Sequence, residues 1–493
     1  MKKILVANRG EIAIRILRTA REMGFKTVAV YSEEDQNALH RFEADESICI
    51  GPAESQKSYL KVENILDAAK KTKADAIHPG YGFLSENSSF AAEVKIAGLT
   101  FIGPAADVIK QMGDKVLARQ AVEKAGVPTV PGTGALKSVE EALTAVKNLL
   151  KTRKDFKFPL LVKAAGGGGG KGMRIVRSEG ELKENIERAR SEALKAFNNE
   201  TVFVERYLEE PRHIEVQVLG DGKSVLHLFE RECSLQRRHQ KVVEEAQSPS
   251  LTPQLREKIL AAGVAAAKAV KYSSAGTVEF IVSNTDDFYF LEMNTRIQVE
   301  HPVSEWITGI DLIRWQIDIA NGKPLKLSQE DIRSQGHSIE VRLYAEDCDH
   351  GFLPQPGKLH FLRFPHWTGV RVDSAVISPT TISSFYDPMI AKISAWAPTR
   401  EECRQRMKLF LEKTEVEGLI TNKAFLLEIL NAEFFKKGHY HTQLLESPNW
   451  RKKIQPSNEI LAALCLKDYL ENKISFESRN LSSWQQESYA LAP

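Results

Sequence analysis

The chain has 493 residues, 42% hydrophobic and 27% charged, with a net charge of +2. That size suits roughly two to four domains of an ordinary globular enzyme, and the near-neutral balance gives no reason to expect nucleic acid or an acidic membrane as partner. Five widely spaced cysteines (Cys49, Cys233, Cys348, Cys403 and Cys465) form no Cys-x-x-Cys pair, which argues against a disulfide framework or zinc site and for a reducing cytoplasm.

Residues 4–7 predict a buried first strand, too short for a signal peptide or membrane span. Asn8-Arg9-Gly10 makes a turn, 11–23 an amphipathic helix stopped by Gly24, and 27–31 a second strand. With 75–77 and 99–102, this alternation predicts a parallel α/β sheet over roughly the first hundred residues. The first loop, Asn-Arg-Gly-Glu-Ile-Ala, lacks Gly-x-Gly-x-x-Gly, so the Rossmann-like pattern implies no dinucleotide. The glycines of His78-Pro79-Gly80-Tyr81-Gly82-Phe83 fit a plain turn or a ligand loop at a strand end, and both readings stay open.

A second unit opens near Met112-Gly113-Asp114-Lys115, with a helix to 125. Strands follow at 159–164, 173–176, 201–206, 213–219 and 224–230, helices at 181–197 and 253–270, and a hairpin over 276–293. A third unit from about 336 carries strands at 338–345, 357–364, 369–372 and 389–396 and a helix over 400–414. Past about 446 the chain turns polar, with one amphipathic helix near 458–472.

Four stretches carry chemistry. Six glycines in seven residues, 166–172 with Lys171 among them, exceed what a turn needs and suit a loop whose bare amides close over phosphates. The run is not a Walker loop: no Ser or Thr follows Lys171. Lys163, ending an apolar strand beside this flap, is placed to reach a phosphate. Arg237-Arg238-His239-Gln240-Lys241, followed by Glu244-Glu245, fits an anion site better than nucleic acid because no aromatics interleave.

The hairpin gives the fourth. If Ser283 faces Phe288, counting back pairs Glu279 with Glu292, and opposed like charges need a cation between them. Asn294 adds an amide oxygen on the same face, and this donor set suits Mg²⁺ or Mn²⁺. From Glu292 a period-two polar row continues through Asn294, Arg296, Gln298 and Glu300, which predicts one strand running from metal to anion site to general base.

Taken together, Met112 to Lys115, Lys163-Ala164-Ala165 with the flap, Arg237 to Lys241 and Glu292 to His301 resemble biotin carboxylase, the ATP-grasp component of biotin-dependent carboxylases. Asn8 to Ala13, His78 to Asn87, Arg342 and Tyr386-Asp387 extend the resemblance over about 1–446. It implies an α/β and α+β multidomain chain: a Rossmann-like N-terminal domain (1–111), an ATP-grasp domain (112–335) with a mobile glycine-rich lid over about 131–205, a C-terminal biotin carboxylase domain (336–446) and a peripheral tail (447–493).

The resemblance also implies site roles. Lys115, Lys163, Gly168, Gly169, Gly170, His213, Gln236 and His239 would hold ATP, with Glu205, Arg206, Tyr207 and Leu208 as the adenine hinge. Glu279 and Glu292 would touch ATP and, with Asn294, the metal. Lys241, Arg296, Gln298, Val299 and Glu300 would bind bicarbonate, and Arg342 biotin; Arg296, Glu300, Lys241 and Arg342 would be catalytic. ATP, Mg²⁺ or Mn²⁺, bicarbonate and biotin on a carrier are the expected cofactors and substrates. A biotin carboxyl carrier protein, carboxyltransferase subunits and a second copy in a homodimer are the expected partners. No Ala-Met-Lys-Met biotinylation signal occurs, so the carrier is expected on a separate polypeptide, in the setting of acetyl-CoA carboxylase or alternatively a propionyl-CoA or pyruvate carboxylase. Another ATP-grasp ligase or a silent nucleotide-binding subunit is the rival reading.

Overall fold

A computed structural model describes residues 1–164, 173–197, 200–238, 240–284, 287–447 and isolated positions between 450 and 470. The first sheet is parallel, in the order β3-β2-β1-β4-β5, from β1 (Lys3–Val6), β2 (Lys26–Tyr31), β3 (Glu46–Cys49), β4 (Ala76–His78) and β5 (Thr100–Phe101). Ile4, Leu5 and Val6 are fully buried, as a parallel strand covered on both faces requires. The helix Gly10–Glu22 packs Ile12, Ile16, Leu17 and Ala20 on one side, in one core with Leu312, Ile313 and Ile317 of the later helix Leu312–Ala320. The sheet matches the expected Rossmann-like pattern.

A small three-stranded sheet, β7-β6-β8, follows: β6 (Leu160–Ala164), β7 (Met173–Val176) and β8 (Val202–Arg206). The helices Val139–Thr152 and Glu179–Phe197 seal it around Val146, Leu160, Val162, Ile186 and Val204. The glycine run, Lys171 and His239 lie outside the described residues.

The site is built on one eight-stranded antiparallel sheet. Its strands are β9 (Arg212–Asp221), β10 (Val225–Arg237), β11 (Gln240–Ala246), β12 (Ser273–Val282), β13 (Phe288–Asn294) and β14 (His337–Tyr344), with Met389–Ala397 and Val370–Asp373 at the far end. The order is β13-β12-β9-β10-β11-β14, then Met389–Ala397, then Val370–Asp373. The second and third sequence units thus share one continuous sheet, joined where β11 pairs with β14. The helix Pro253–Ala269 backs it; Thr252 caps that helix by accepting from the Leu255 amide, and Pro253 starts it.

Two expectations need correcting. The hairpin closes with Val282, not Ser283, opposite Phe288, and Phe280 faces Phe290 rather than Leu291. A bulge at Leu291 then absorbs one residue, so Glu279 does face Glu292. The expected register is off by one residue at the tip of the hairpin, and the bulge compensates. Second, the polar row is not one strand: β13 stops at Asn294, 295–300 is irregular, and the helix His301–Thr308 begins directly after Glu300. His301-Pro302 forces this, since proline has no amide for a ladder and fits the first helical turn.

Residues Ser447–Pro493 form a separate smaller unit. Its described positions 459, 462, 463, 465, 466 and 470 are helical. Among the described residues no helix is long and apolar enough to cross a membrane.

Candidate active site

Register alone lays out the centre of the site. One row of side chains crosses four strands: Glu292 on β13, Glu279 on β12, Glu215 on β9 and Arg231 on β10. Three carboxylates side by side repel one another, so the surrounding cations and donors decide whether the row is tolerable.

They surround Glu279 densely. His213 Nε2 lies 2.8 Å from Glu279 Oε2, while the amides of Asn294 and Gln298 each donate to Oε1 at 2.7 Å. Lys241 Nζ sits 3.3 Å from Glu279 and 2.7 Å from Glu300 Oε1, and also contacts Glu215. Arg231 is fully buried and donates to Glu215 (3.1 Å), Gln298 Oε1 (2.6 Å), Gln217 (2.6 Å), Thr277 and Ser304. Arg231 thereby fixes which way the Gln298 amide points.

These contacts set the charge states. Burial alone would pull His213 down, but Glu279 and Glu215 push it up to about 10, so it is a cation at neutral pH. Burial would raise Glu279 and Glu215, yet Lys241, with His213 behind it, holds both carboxyls well below the usual range. The same opposition acts on Glu300: burial raises it, Lys241 and Arg342 lower it more, and the carboxylate stays ionised. As the residue capping the helix His301–Thr308, Glu300 also sits at the positive end of a helix dipole.

Arg342 on β14 closes the far side. Its Nη2 lies 3.0 Å from Glu300 Oε2 and its Nε donates to Glu244 Oε1 at 2.7 Å. Burial pushes Glu244 up to about 7, against the lowering effect of Arg342. Arg296 is tethered from the first domain: its Nε donates to Glu86 Oε2 (2.8 Å), and its Nη2 to Asn294 Oδ1 (2.9 Å). Glu86 follows the glycine loop left open above. Asn8 pins that loop by donating to the carbonyls of Pro79 (2.8 Å) and Tyr81 (2.7 Å), and a Cβ at Gly80 would meet Asn8 Nδ2 at 2.8 Å. The loop therefore borders the site.

A second, smaller cluster lies on the three-stranded sheet, where Lys163 Nζ pairs with Glu205 and Arg119 stands 3.7 Å from the same carboxylate. Arg206 is drawn aside to Tyr289 OH (3.0 Å) and Asp287 (3.3 Å), Tyr207 OH accepts from Gln443, and Leu208 is buried. Lys115 is exposed in the first turn of the helix Lys115–Lys124 and joins neither cluster. Gln236 donates to the carbonyl of Cys233 at 2.8 Å, and its Nε2 lies 2.9 Å from His213 Nδ1. Gly168, Gly169, Gly170 and His239 lie outside the described residues.

The donor set suits a hard divalent cation. Glu292, at the mouth of the row, is pushed up by partial desolvation and by Glu279, and no cation pairs with it among the described residues. Two facing carboxylates, both hard donors, fit Mg²⁺ or Mn²⁺ between Glu279 and Glu292, whereas the Asn294 amide turns its NH₂ to Glu279 and its oxygen to Arg296 and would have to rotate to join them.

Family models match the chain in three pieces: "Biotin carboxylase, N-terminal domain" over 1–109, "Carbamoyl-phosphate synthase L chain, ATP binding domain" over 114–328, and "Biotin carboxylase C-terminal domain" over 340–447. A biotin carboxylase of Haemophilus influenzae is 51% identical over 447 residues, covering 90% of this chain and 98% of that one. The chain belongs to the biotin carboxylase family. The mitochondrial methylcrotonoyl-CoA carboxylase subunit alpha of Oryza sativa is 47% identical over 98% of this chain and 67% of its own length. The biotin carboxylase domain dimer of Hydrogenobacter thermophilus 2-oxoglutarate carboxylase, solved with MgADP, ADP and bicarbonate, superposes with TM-score 0.83 at 47% identity, covering 92% of this chain and 99% of that one. Biotin carboxylases are ATP-dependent carboxylating ligases, and the three-part fold agrees with that class.

Sequence reasoning missed Glu215, Arg231, Glu244 and Glu86 as members of this biotin carboxylase site. Glu215 was within reach: His213-Ile214-Glu215-Val216-Gln217 alternates along β9 and puts His, Glu and Gln on one face. Arg231 had no such signal, because the bulges of β10 hide its register from the sequence.

Proposed function

We propose that the chain carboxylates biotin held by a carrier protein, consuming ATP and bicarbonate through carboxyphosphate. The observation that carries this is Glu300, a buried carboxylate between Lys241 (2.7 Å) and Arg342 (3.0 Å) and beside Gln298. Bicarbonate is a poor nucleophile while protonated; Glu300 is ionised and takes its proton. Arg296, Gln298, Lys241 and the Val299 amide hold the resulting anion toward the γ-phosphate. Attack on the γ-phosphorus breaks its bond to the bridging oxygen, releases ADP and forms carboxyphosphate, which breaks into CO₂ and phosphate; the phosphate takes the ureido proton of biotin. Arg342 stabilises the enolate-like biotin anion that captures CO₂.

Lys115, Lys163, His213, Gln236 and the glycines 168–170 with His239 serve as ATP ligands in this reading, and Glu205 to Leu208 as the hinge. A divalent metal at Glu279, Glu292 and Asn294 supplies charge neutralisation for the transferred phosphoryl group. Domain limits of 1–111, 112–335 and 336–446, with a lid over about 131–205, accompany it; the matches to 1–109, 114–328 and 340–447 support them. Acetyl-CoA carboxylase, acting in fatty acid synthesis in a cytoplasmic compartment, is the holoenzyme we favour, with a separate carrier, carboxyltransferase subunits and a homodimer. Similarity to the Haemophilus influenzae protein along nearly its whole length supports that setting, and five widely spaced cysteines with no Cys-x-x-Cys pair support a reducing compartment. A methylcrotonoyl-CoA, pyruvate or 2-oxoglutarate carboxylase is the second reading, favoured by relatives of similar identity. ADP release that needs bicarbonate and rises with free biotin is the expected result. ADP release indifferent to both assigns the chain to another ligase class.

A further inference from the structure

One buried cation stands behind the site and touches its substrate-binding residues only at the backbone carbonyl of Val299. Lys392 is 1% exposed, midway along Met389–Ala397, with Arg342 of β14 opposite it on one side and Asp373 on the other. Its Nζ donates to the carbonyl of Val299 at 2.7 Å and lies 3.4 Å from Glu11 Oε1. Glu11 is itself held by the Tyr81 hydroxyl, and the Tyr81 ring centroid is 5.9 Å from the ammonium. One side chain thus ties the far end of the sheet, the first helix and the glycine loop to the segment that carries Gln298, Val299 and Glu300.

The placement is costly twice over. Desolvating an ammonium costs several kcal/mol, and a leucine or methionine would fill the same space without that cost. Setting it opposite Arg342 also puts two cations on neighbouring strands. What it supplies is specific. Residues 295–300 have no strand ladder to hold them, and the Val299 carbonyl belongs to the peptide that launches Glu300. Anchoring that carbonyl holds the 299–300 peptide from which the Glu300 side chain departs. The ammonium adds a second positive charge behind Arg342, aimed at the place where an anion gathers.

We infer that Lys392 is a positioning residue for bicarbonate: it anchors the Val299 carbonyl and supports the anion site without contacting substrate. This rests on the functional reading above. The test is steady-state ADP release with bicarbonate and ATP varied separately. Lys392→Met should raise the KM for bicarbonate about tenfold, the effect of losing a hydrogen bond to a charged group, with the KM for ATP within about twofold of wild type. Lys392→Arg, which keeps charge and donors, should restore most of the bicarbonate affinity. Because Lys392→Met orphans Glu11, the double variant Lys392→Met/Glu11→Gln removes both charges together and should fold where the single variant does not. Three results overturn the inference alone: an unchanged bicarbonate KM in a folded charge-free variant, a parallel loss of ATP and bicarbonate affinity with thermal stability, or failure of both charge-free variants to fold. A wild-type chain with no bicarbonate-dependent ADP release overturns the functional reading itself, and this inference with it.

Discussion

Replacing Glu300 by glutamine isolates the base from the scaffold. The carboxylate serves two cations at once, Lys241 at Oε1 (2.7 Å) and Arg342 at Oε2 (3.0 Å). Glutamine has the same shape but only one acceptor oxygen, so it can serve one of them, and its NH₂ must turn from the other. Neither cation is orphaned, since Lys241 keeps Glu215 and Glu279, and Arg342 keeps Glu244. The fold should therefore survive. Glu244, held up at about 7 by burial with Glu300 adding to the rise, should titrate lower once that charge is gone. Loss of a general base removes about 10²–10⁴ of rate, while ATP affinity, made elsewhere, should stay within about threefold. The assay is bicarbonate-dependent ADP release beside calorimetric ATP binding. Wild-type turnover in Glu300→Gln, or ATP binding lost in proportion to turnover, would refute the reasoning.

Three further perturbations separate the parts. Glu292→Gln relieves the repulsion across from Glu279, so the metal-free chain should melt higher, yet Mn²⁺ binding followed by electron paramagnetic resonance should weaken about tenfold. Arg231→Met removes the cation under Glu215 and Gln298 and should cost about 3–5 kcal/mol in denaturant titrations; a change under 1 kcal/mol, roughly the size of an exposed pair, would show that the hub is dispensable. His213 keeps its proton up to about 10 when folded but loses it near 6.5 when unfolded. Its contribution is complete below about 6.5 and disappears as pH rises toward about 10, so His213→Gln should flatten the urea midpoint of the chain across that window.

Sequence showed the site best where chemistry repeats with the strand period. Glu279, Glu292 and Asn294 could be set on one hairpin and the separate strand carrying Lys163 placed from alternation and turn position, though the Glu279–Glu292 pairing comes right only because the bulge at Leu291 offsets a one-residue error at the tip. The first sheet was equally visible, because strands buried on both faces are short apolar runs between helices. Failures came where long-range pairing decides. That β11 and β14 join two sequence units into one sheet is written in no local pattern, and Glu244 and Arg342 meet only because of it. The row from Glu292 to Glu300 had the right residues but the wrong backbone: proline after His301 turned a supposed strand into a loop capped by a helix. That loop brings Gln298 and Glu300 back over Glu279 and Lys241, where a straight strand would have carried them away.

The bulge at Leu291 has a consequence for how the hairpin can vary. In an unbroken ladder every residue gained or lost at the tip slides all pairs and turns each side chain to the other face. Here the extra residue sits between the tip and the Glu279–Glu292 pair, with the Leu291 side chain directed to solvent. It works as a slip joint: the tip can gain or shed a residue and the strain is taken up outside the pairs that matter. The Glu279 and Glu292 pair is thereby insulated from changes in loop length, and the tip of the hairpin can shift while the two facing carboxylates keep their geometry.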